Sequence, residues 1–347
     1  MLDKPNIQDA ALIDCLRKNY GIRTKQVTFL PLGADRNTVV YRADTESGAA
    51  YFVKLRREDF NEMSLVVPKL LCSQRVPHII DPLASLDGKV WVSVSGYYLS
   101  VYPFIVGRNG HDAGLADTHW VELGKTLRDI HSTALPREMV ARVPKESFSG
   151  EWRERVRQFQ KKIDETTFID PVAASLADLL RRQRTVVDTL IQLAERLGAV
   201  LQVNLLPLVL CHSDIHAWNI LIQADGTFYI VDWDTIILAP KERDLMFVAS
   251  GLFGKMRTPE QEEALFYQGY GDRGQVDPIG LAYYRSERIV RDIAEYCEEI
   301  FLTEPGGESK AENLWQLSTQ FEPGQVVDMA LRSEQFLAPN FRSLGKD

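Results

Sequence analysis

The stretch LVLCHSDIHAWNILIQADGTFYIVDWD, residues 208–234, constrains this chain more than any other. Its apolar runs LVL, NILI and FYIVDW read as three short strands. Asp225-Gly226, between the last two, is a two-residue hairpin signal. The polar residues sit at the ends of these runs. Asp214 follows His212-Ser213, Asn219 lies five positions on, and Asp232 thirteen after that. A carboxylate, an amide and a second carboxylate held at strand ends can orient a hydroxyl and hold a Mg²⁺. Phosphoryl transfer from ATP needs those parts. A lone Asp at a strand end is usually a turn or cap residue. The ordered set carries the inference: H-x-D-x-x-x-x-N, a strand, a hairpin, and a strand ending in Asp.

Upstream, residues 5–20 show a helical period that ends at Gly21. The texture then changes to three β-like runs, VTFLPLG, TVVYRAD and AAYFVKL, an antiparallel meander. The first connector, with Gly33 and Asp35, is either a plain hairpin or a loop folding its backbone N–H groups over phosphates. Lys54 lies in a strand with one buried face. It is either a solvent-side Lys or an ammonium set against ATP phosphates by Glu62, which opens the next helix, NEMSLVVPKLLCS. Pro68 in that helix implies a kink or a late start. Two more runs, WVSVS and YYLSVYPFI, lead into Tyr102–Gly107. A strand running into Pro and Gly suits a linker between lobes, with Tyr102 and Phe104 near an adenine edge. A core strand ending at a turn fits the same residues.

From Gly114 onward the chain reads as helical. His131 closes one helix and is expected to cap or pack. Two long amphipathic helices are expected over 151–165 and 172–198, parted at Phe168–Pro171, with Arg181–Arg184 as a solvated basic face. Asp244 precedes the apolar run LMFVASGLF, expected to be a helix that Asp244 caps. Residues 258–270 and 278–302 are again helical. In the second, Tyr284, Glu287, Arg288 and Asp292 are among the polar positions, with Ile289, Ile293 and Tyr296 on another face.

Composition narrows the class. The 347 residues are 45% hydrophobic and 25% charged, the balance of a soluble globular chain with room for two cores. No apolar run approaches the ~20 residues of a membrane span. The start, MLDKPNIQDAALIDCL, shows no signal-peptide pattern. The four Cys lack paired spacing and read as free thiols of a cytoplasmic protein. A net charge of −8 argues against a nucleic-acid binder and is compatible with a cationic substrate, as with solubility alone.

With the nucleotide-side pattern and the central stretch both in view, the chain resembles the aminoglycoside phosphotransferase family, from Leu30 to about Phe336. The strongest text is VLCHSDIHAWNILI…YIVDWD…APKERDLMF, with YYRSERIVRDIAEY downstream. The resemblance implies an α+β, bilobal protein-kinase-like fold. Residues 1–105 would form an antiparallel-sheet nucleotide lobe, and 106–347 a helical lobe with the catalytic loop and substrate site. It implies Asp214 as the base that orients the substrate hydroxyl, and Asn219 and Asp232 as Mg²⁺ ligands. Lys54 would hold the ATP phosphates with Glu62 as its partner, residues 102–106 would bind adenine, and Asp244 would buttress the catalytic loop. His-Ser-Asp replaces the His-Arg-Asp of protein kinases, and Asp232-Trp233-Asp234 replaces Asp-Phe-Gly. Ala239-Pro240 follows almost at once, leaving no long activation segment, which favours a small-molecule substrate. Trp218 stands where relatives commonly carry a small residue. The expected activity is ATP- and Mg²⁺-dependent transfer to a hydroxyl of a small cationic aminocyclitol, by a monomer or weak dimer. Asp234, Glu287 and Asp292 are candidate partners for substrate ammonium groups, with Trp218 and Tyr284 beside them. Competing readings are a choline, sugar or homoserine kinase of the same fold, and an inactive kinase-like binding module.

Overall fold

Period-2 burial after residue 21 builds a five-stranded antiparallel sheet: β1 (Thr24–Leu30), β2 (Thr38–Thr45), β3 (Ala50–Arg56), β4 (Val92–Val94) and β5 (Tyr97–Pro103), in the order β1-β2-β3-β5-β4. The structure, a computed structural model, describes residues 4–32, 37–57, 60–253, 256–303 and 308–341. The preceding helix, α1 (Asp9–Tyr20), ends on Gly21 at φ 69°. A left-handed C′ glycine closes a helix without Cβ strain. Leu12, Cys15 and Leu16 of α1 pack on Tyr41, Ala43, Val53, Leu55, Leu99 and Val101. These sheet residues alternate with Val40, Lys54 and Ser100, which are paired in register on the opposite face. A one-residue slip of β3 would turn Lys54 into the apolar face, so burial of Val53 and Leu55 fixes where Lys54 points. The next helix, α2 (Met63–Ser73), contains Pro68 in its interior.

The chain divides into two compact units. The first comprises Met1–Ala113, Ala134–Val143 and Trp218–Ile236, and so reaches beyond the expected 1–105; the second comprises Gly114–Thr133, Pro144–Ala217 and Ile237–Asp347. The first unit also holds a three-stranded sheet of Arg108–Asn109, Ile220–Ile222 and Phe228–Ile230. Its hairpin turns at Asp225-Gly226, with Gly226 at φ 86° and the Gln223 N–H donating to Thr227 O at 2.8 Å. The run FYIVDW stops being a strand at Ile230. The Val231 N–H donates to Asn219 O at 3.0 Å, and Asp232 turns into the left-handed region at φ 64°. Against this sheet runs Gly107, where a Cβ would stand 2.6 Å from Ile222 O. Only glycine permits that approach.

In the second unit, the helix Pro278–Phe301 packs on helices Glu151–Glu165, Pro171–Arg182, Arg184–Val203, Glu308–Gln320 and Val326–Ser333. Pro278 opens it, and Asp277 caps it by accepting the Gly280 N–H at 2.7 Å. Its stripe Ile289, Ile293, Cys297 and Ile300 meets Val156, Phe159, Leu190 and Ile191 in one core. Burying each such aliphatic side chain contributes about 1.5–3 kcal/mol. Helices Asp117–His131 and Pro259–Tyr270 cross at two glycines. A Cβ on Gly124 would stand 2.2 Å from Phe266 O, and one on Gly269 1.8 Å from Val121 O. That close crossing sets His131 beside Tyr270.

Two expected helices differ. The one over 172–198 is two, Pro171–Arg182 and Arg184–Val203, because Gln183 leaves helical geometry at φ −93°, ψ 7°. LMFVASGLF is not a helix. Only Glu242–Leu245 is helical, and residues 246–253 turn through Ala249 at φ 56° and Gly251 at φ 85°. Among the described residues no helix is long and apolar enough to cross a membrane. All four cysteines are free thiols.

Candidate active site

In the first unit, β3 places Lys54 and Arg56 two residues apart on one face. Lys54 Nζ donates to Asp232 Oδ1 at 2.9 Å and to Asp234 Oδ2 at 2.6 Å. The Arg56 guanidinium grips Asp234 as well, through Nη2 to Oδ1 and Nε to Oδ2. Burial would strip charge from Lys54, but Asp232 and Asp234 outweigh it and hold its pKa above the usual range. Burial likewise opposes ionisation of Asp234, and Lys54 and Arg56 hold it well below the usual carboxylate range. Asp232 is about half exposed, and its Oδ2 has no hydrogen-bond partner among the described residues. Asn219 is buried at the foot of the Ile220–Ile222 strand. An amide oxygen and a carboxylate are hard donors of the kind Mg²⁺ takes, so this pair suits it. Beside them, Phe52 and Tyr102 meet edge to face at 6.4 Å, and the Arg42 guanidinium lies 4.6 Å over Phe104.

The Lys54–Glu62 pair expected from the sequence is not formed. Glu62 accepts from Trp91 Nε1 at 3.0 Å and from the Arg142 guanidinium. Lys54 is held instead by the two carboxylates of the Asp232–Asp234 segment. Gly33 and Asp35, the candidate phosphate loop, lie outside the described residues. Trp218 is half exposed and stacks on His111 with ring centroids 4.1 Å apart.

In the second unit, Asp244 is wholly buried. Its carboxylate accepts the backbone N–H of His212 at 3.0 Å and of Ser213 at 2.6 Å. The His131 ring joins it, with Nε2 3.0 Å from Asp244 and Nδ1 2.8 Å from the Tyr270 hydroxyl. Asp244 therefore buttresses the His212-Ser213-Asp214 loop, as the resemblance implies, and does not cap a long helix. Ser213 is at φ 66°, a conformation costly for a non-glycine residue. The two bonds from the loop to Asp244 hold it there.

Asp214, the next residue, accepts from Arg288 Nη1 at 2.9 Å, and His216 Nε2 lies 3.4 Å from its Oδ2. Burial alone would raise the carboxyl. The His216 hydrogen bond and the charges of Arg288, His216 and His212 outweigh it and hold Asp214 far below the usual range. A carboxylate so stabilised is a good hydrogen-bond acceptor and a weak base.

The remaining substrate candidates are corrected by packing. Glu287 is buried and bound by Arg153 Nη1 at 2.6 Å. Tyr284 is buried completely, edge to face with Tyr283. Both fall on the inner face of their helix, where an incoming ligand finds no open surface. Asp292 accepts from Arg288 Nε at 2.7 Å and from Gln320 Nε2 at 3.2 Å. Asp234 is taken by Lys54 and Arg56. Arg56, Arg288 and His216 were missed as site residues in the sequence. Arg56 had a signal, its i+2 spacing from Lys54; Arg288 had its i,i+4 spacing to Asp292.

The comparisons with known proteins agree on one family. Residues 27–285 match the model of the phosphotransferase enzyme family, APH. The chain is similar to spectinomycin phosphotransferase APH(9)-Ia solved with ADP and spectinomycin. Identity is 36% over 96% of this chain and 100% of that one, with TM-score 0.87. The AMP-bound complex of that enzyme gives 35% identity over 93% and 98%, TM-score 0.82. Amicoumacin kinase, 16% identical over 93% and 94% with TM-score 0.60, shares the fold. No curated protein matches the sequence. A family model spanning residues 27–285, and a relative more than a third identical along its whole length, make this chain a member of the phosphotransferase enzyme family.

Proposed function

We propose that this protein is an ATP- and Mg²⁺-dependent O-phosphotransferase acting on a small cationic aminocyclitol, with spectinomycin as the acceptor. The observation that carries the reading is the full-length likeness to an enzyme solved with ADP and spectinomycin. In this reading Lys54 and Arg56 bind phosphate oxygens, and Tyr102 and Phe104 flank the adenine. Asn219 and Asp232 would hold Mg²⁺. The ion would supply positive charge to offset that of the phosphates. Asp214 accepts the hydrogen bond of the substrate hydroxyl. The hydroxyl oxygen forms a bond to the γ-phosphorus as the bond to ADP breaks, and the hydroxyl proton passes to Asp214 and then to water. Because the transition state is loose, the proton leaves late, and a weakly basic carboxylate suffices to orient the nucleophile.

Asp214 and Asp292 share one guanidinium, that of Arg288. Trp218, half exposed, is the residue of the motif we assign to acceptor choice. We assign it to the cytoplasm, where ATP is supplied, as a monomer or weak dimer. The test is phosphate transfer from ATP to spectinomycin, with mass and NMR location of the new group. Asp214→Ala should lose about 10²–10⁴-fold in turnover while ATP affinity holds. Near-full activity in that variant would remove Asp214 from the mechanism. Transfer to choline or a sugar in place of spectinomycin would select another kinase of the same fold.

A further inference from the structure

We infer that Arg288 is a positioning residue for Asp214, the last link of a chain that ties the base to the C-terminal helices; this rests on the phosphotransferase reading above. All the links lie in the second unit. Arg288 Nη1 donates to Asp214 Oδ1 at 2.9 Å, and Arg288 Nε donates to Asp292 Oδ1 at 2.7 Å. The other oxygen of Asp292 accepts from Gln320 Nε2 at 3.2 Å. Arg288 thus holds one carboxylate on each of two nitrogens, with its guanidinium 5.2 Å over the Phe247 ring. A guanidinium is rigid and planar, so contacts on two nitrogens and one face fix its orientation. The side chains of Arg288 and Asp292 are 21% and 12% exposed, sheltered enough for these pairs to escape most screening.

Arg288, Asp292 and Gln320 all lie beyond residue 285, where the family match ends. The wiring therefore comes from the part of the chain the family model does not describe. Its effect on Asp214 is geometric. Arg288 occupies Oδ1, while Oδ2 faces His216. The carboxylate cannot rotate without giving up a charge-assisted bond, so one oxygen keeps a fixed direction for the hydroxyl. The charged and titratable groups facing Asp214 are Arg288 on its helix and His216 and His212 on the loop. Burial opposes the charge and these three groups favour it. Removing the Arg288 cation shifts ionisation of Asp214 to higher pH, because the histidines remain and the guanidinium does not.

The test uses the full chain with ATP, Mg²⁺ and spectinomycin. Arg288→Met should lower kcat about 10- to 100-fold with both KM values changed little, as expected for lost orientation rather than lost binding. The acid limb of its pH profile should move to higher pH. Arg288→Lys keeps the cation but loses the two-sided grip, so its acid limb should stay nearer the parent's while kcat falls. A carbon-13 titration of the Asp214 carboxyl gives a readout that needs no acceptor. In the parent it should stay ionised through the range where ordinary carboxylates protonate. Should Arg288→Met fail to fold, Asp292→Asn, which loosens Arg288 from its other side, should lower kcat in the same direction. An Arg288→Met enzyme with unchanged kcat and acid limb overturns the inference and leaves the phosphotransferase reading standing. So does a parent carboxyl that titrates like an ordinary Asp. A parent that transfers phosphate to no acceptor overturns the reading instead, and the carboxyl titration still decides the role of Arg288.

Discussion

Lys54 and Asp214 both sit among opposite charges, but the two clusters are built to different ends. Around Lys54, two cations meet two carboxylates and the charge cancels. Two of these groups, Asp232 and Asp234, are 49% and 33% exposed. In the reading proposed above, these cations would exchange carboxylate for phosphate, releasing Asp232 and Asp234 to water. Around Asp214, one guanidinium serves two carboxylates, and the second of these, Asp292, also accepts from Gln320. That cluster has little freedom. In the proposed reading, the first region would reorganise when an anionic ligand arrives, and the second would stay still while a hydroxyl is placed.

The largest effect expected on this contrast comes from the rigid side. Asp244→Ala removes the acceptor for two buried backbone N–H groups and the partner of His131. It should cost about 3–5 kcal/mol of stability, read from the urea midpoint at unchanged slope. A loss under about 1 kcal/mol would mean that the loop holds its own shape. On the adaptable side, Lys54→Met should reduce kcat/KM about 10²-fold and raise the KM for ATP, with thermal stability nearly kept. A steep drop in melting temperature instead would show that the Lys54 cluster is as structural as the other.

A buried carboxylate with no ion-pair partner among the described residues calibrates both. Glu262 accepts the Ala249 N–H at 3.1 Å, and burial pushes its pKa up to about 7 against that bond and the charge of Arg257. Unfolded, it ionises near 4.5. Between those values the native state holds a proton that the unfolded state has released, so stability falls as pH rises through the window. Glu262→Gln should therefore raise stability at pH 8 by about 1–3 kcal/mol and change it little at pH 4. Equal melting shifts at both pH values would contradict the burial argument. The smallest effect concerns Glu62. Bound to Arg142 and Trp91 near the surface, it should cost under about 1 kcal/mol when changed to Gln, with little change in kcat. A loss in kcat comparable with that of Lys54→Met would show that Lys54 takes Glu62 as its partner once nucleotide binds.

Much of this was legible because it is local. The hairpin at Asp225-Gly226, the stop at Gly21 and the alternation that points Lys54 away from Val53 and Leu55 all depend on neighbours in sequence. The order Asp214, Asn219, Asp232 is local as well. What escaped was set by distant packing. Glu62 and Lys54 have compatible spacing, yet Lys54 meets Asp232 and Asp234, which lie some 180 residues away. Glu287 and Tyr284 looked polar and available because the width of the buried stripe on their helix depends on how many helices surround it. At least six do among the described residues, the short Glu242–Leu245 included. LMFVASGLF is apolar enough for a helix, but its backbone is bent through Ala249, whose N–H is taken by Glu262 thirteen residues on. Apolar content shows that a segment is buried and leaves its backbone conformation open.

The stack of Trp218 on His111 has a use of its own. An indole that is half in water, one residue from a candidate metal ligand, is a built-in optical gauge of that segment. Its emission colour follows the wetness of the ring, and Trp315 is the other tryptophan counted among the exposed large side chains. With the other five tryptophans replaced by Phe, emission from Trp218 alone would report on that segment with no label attached.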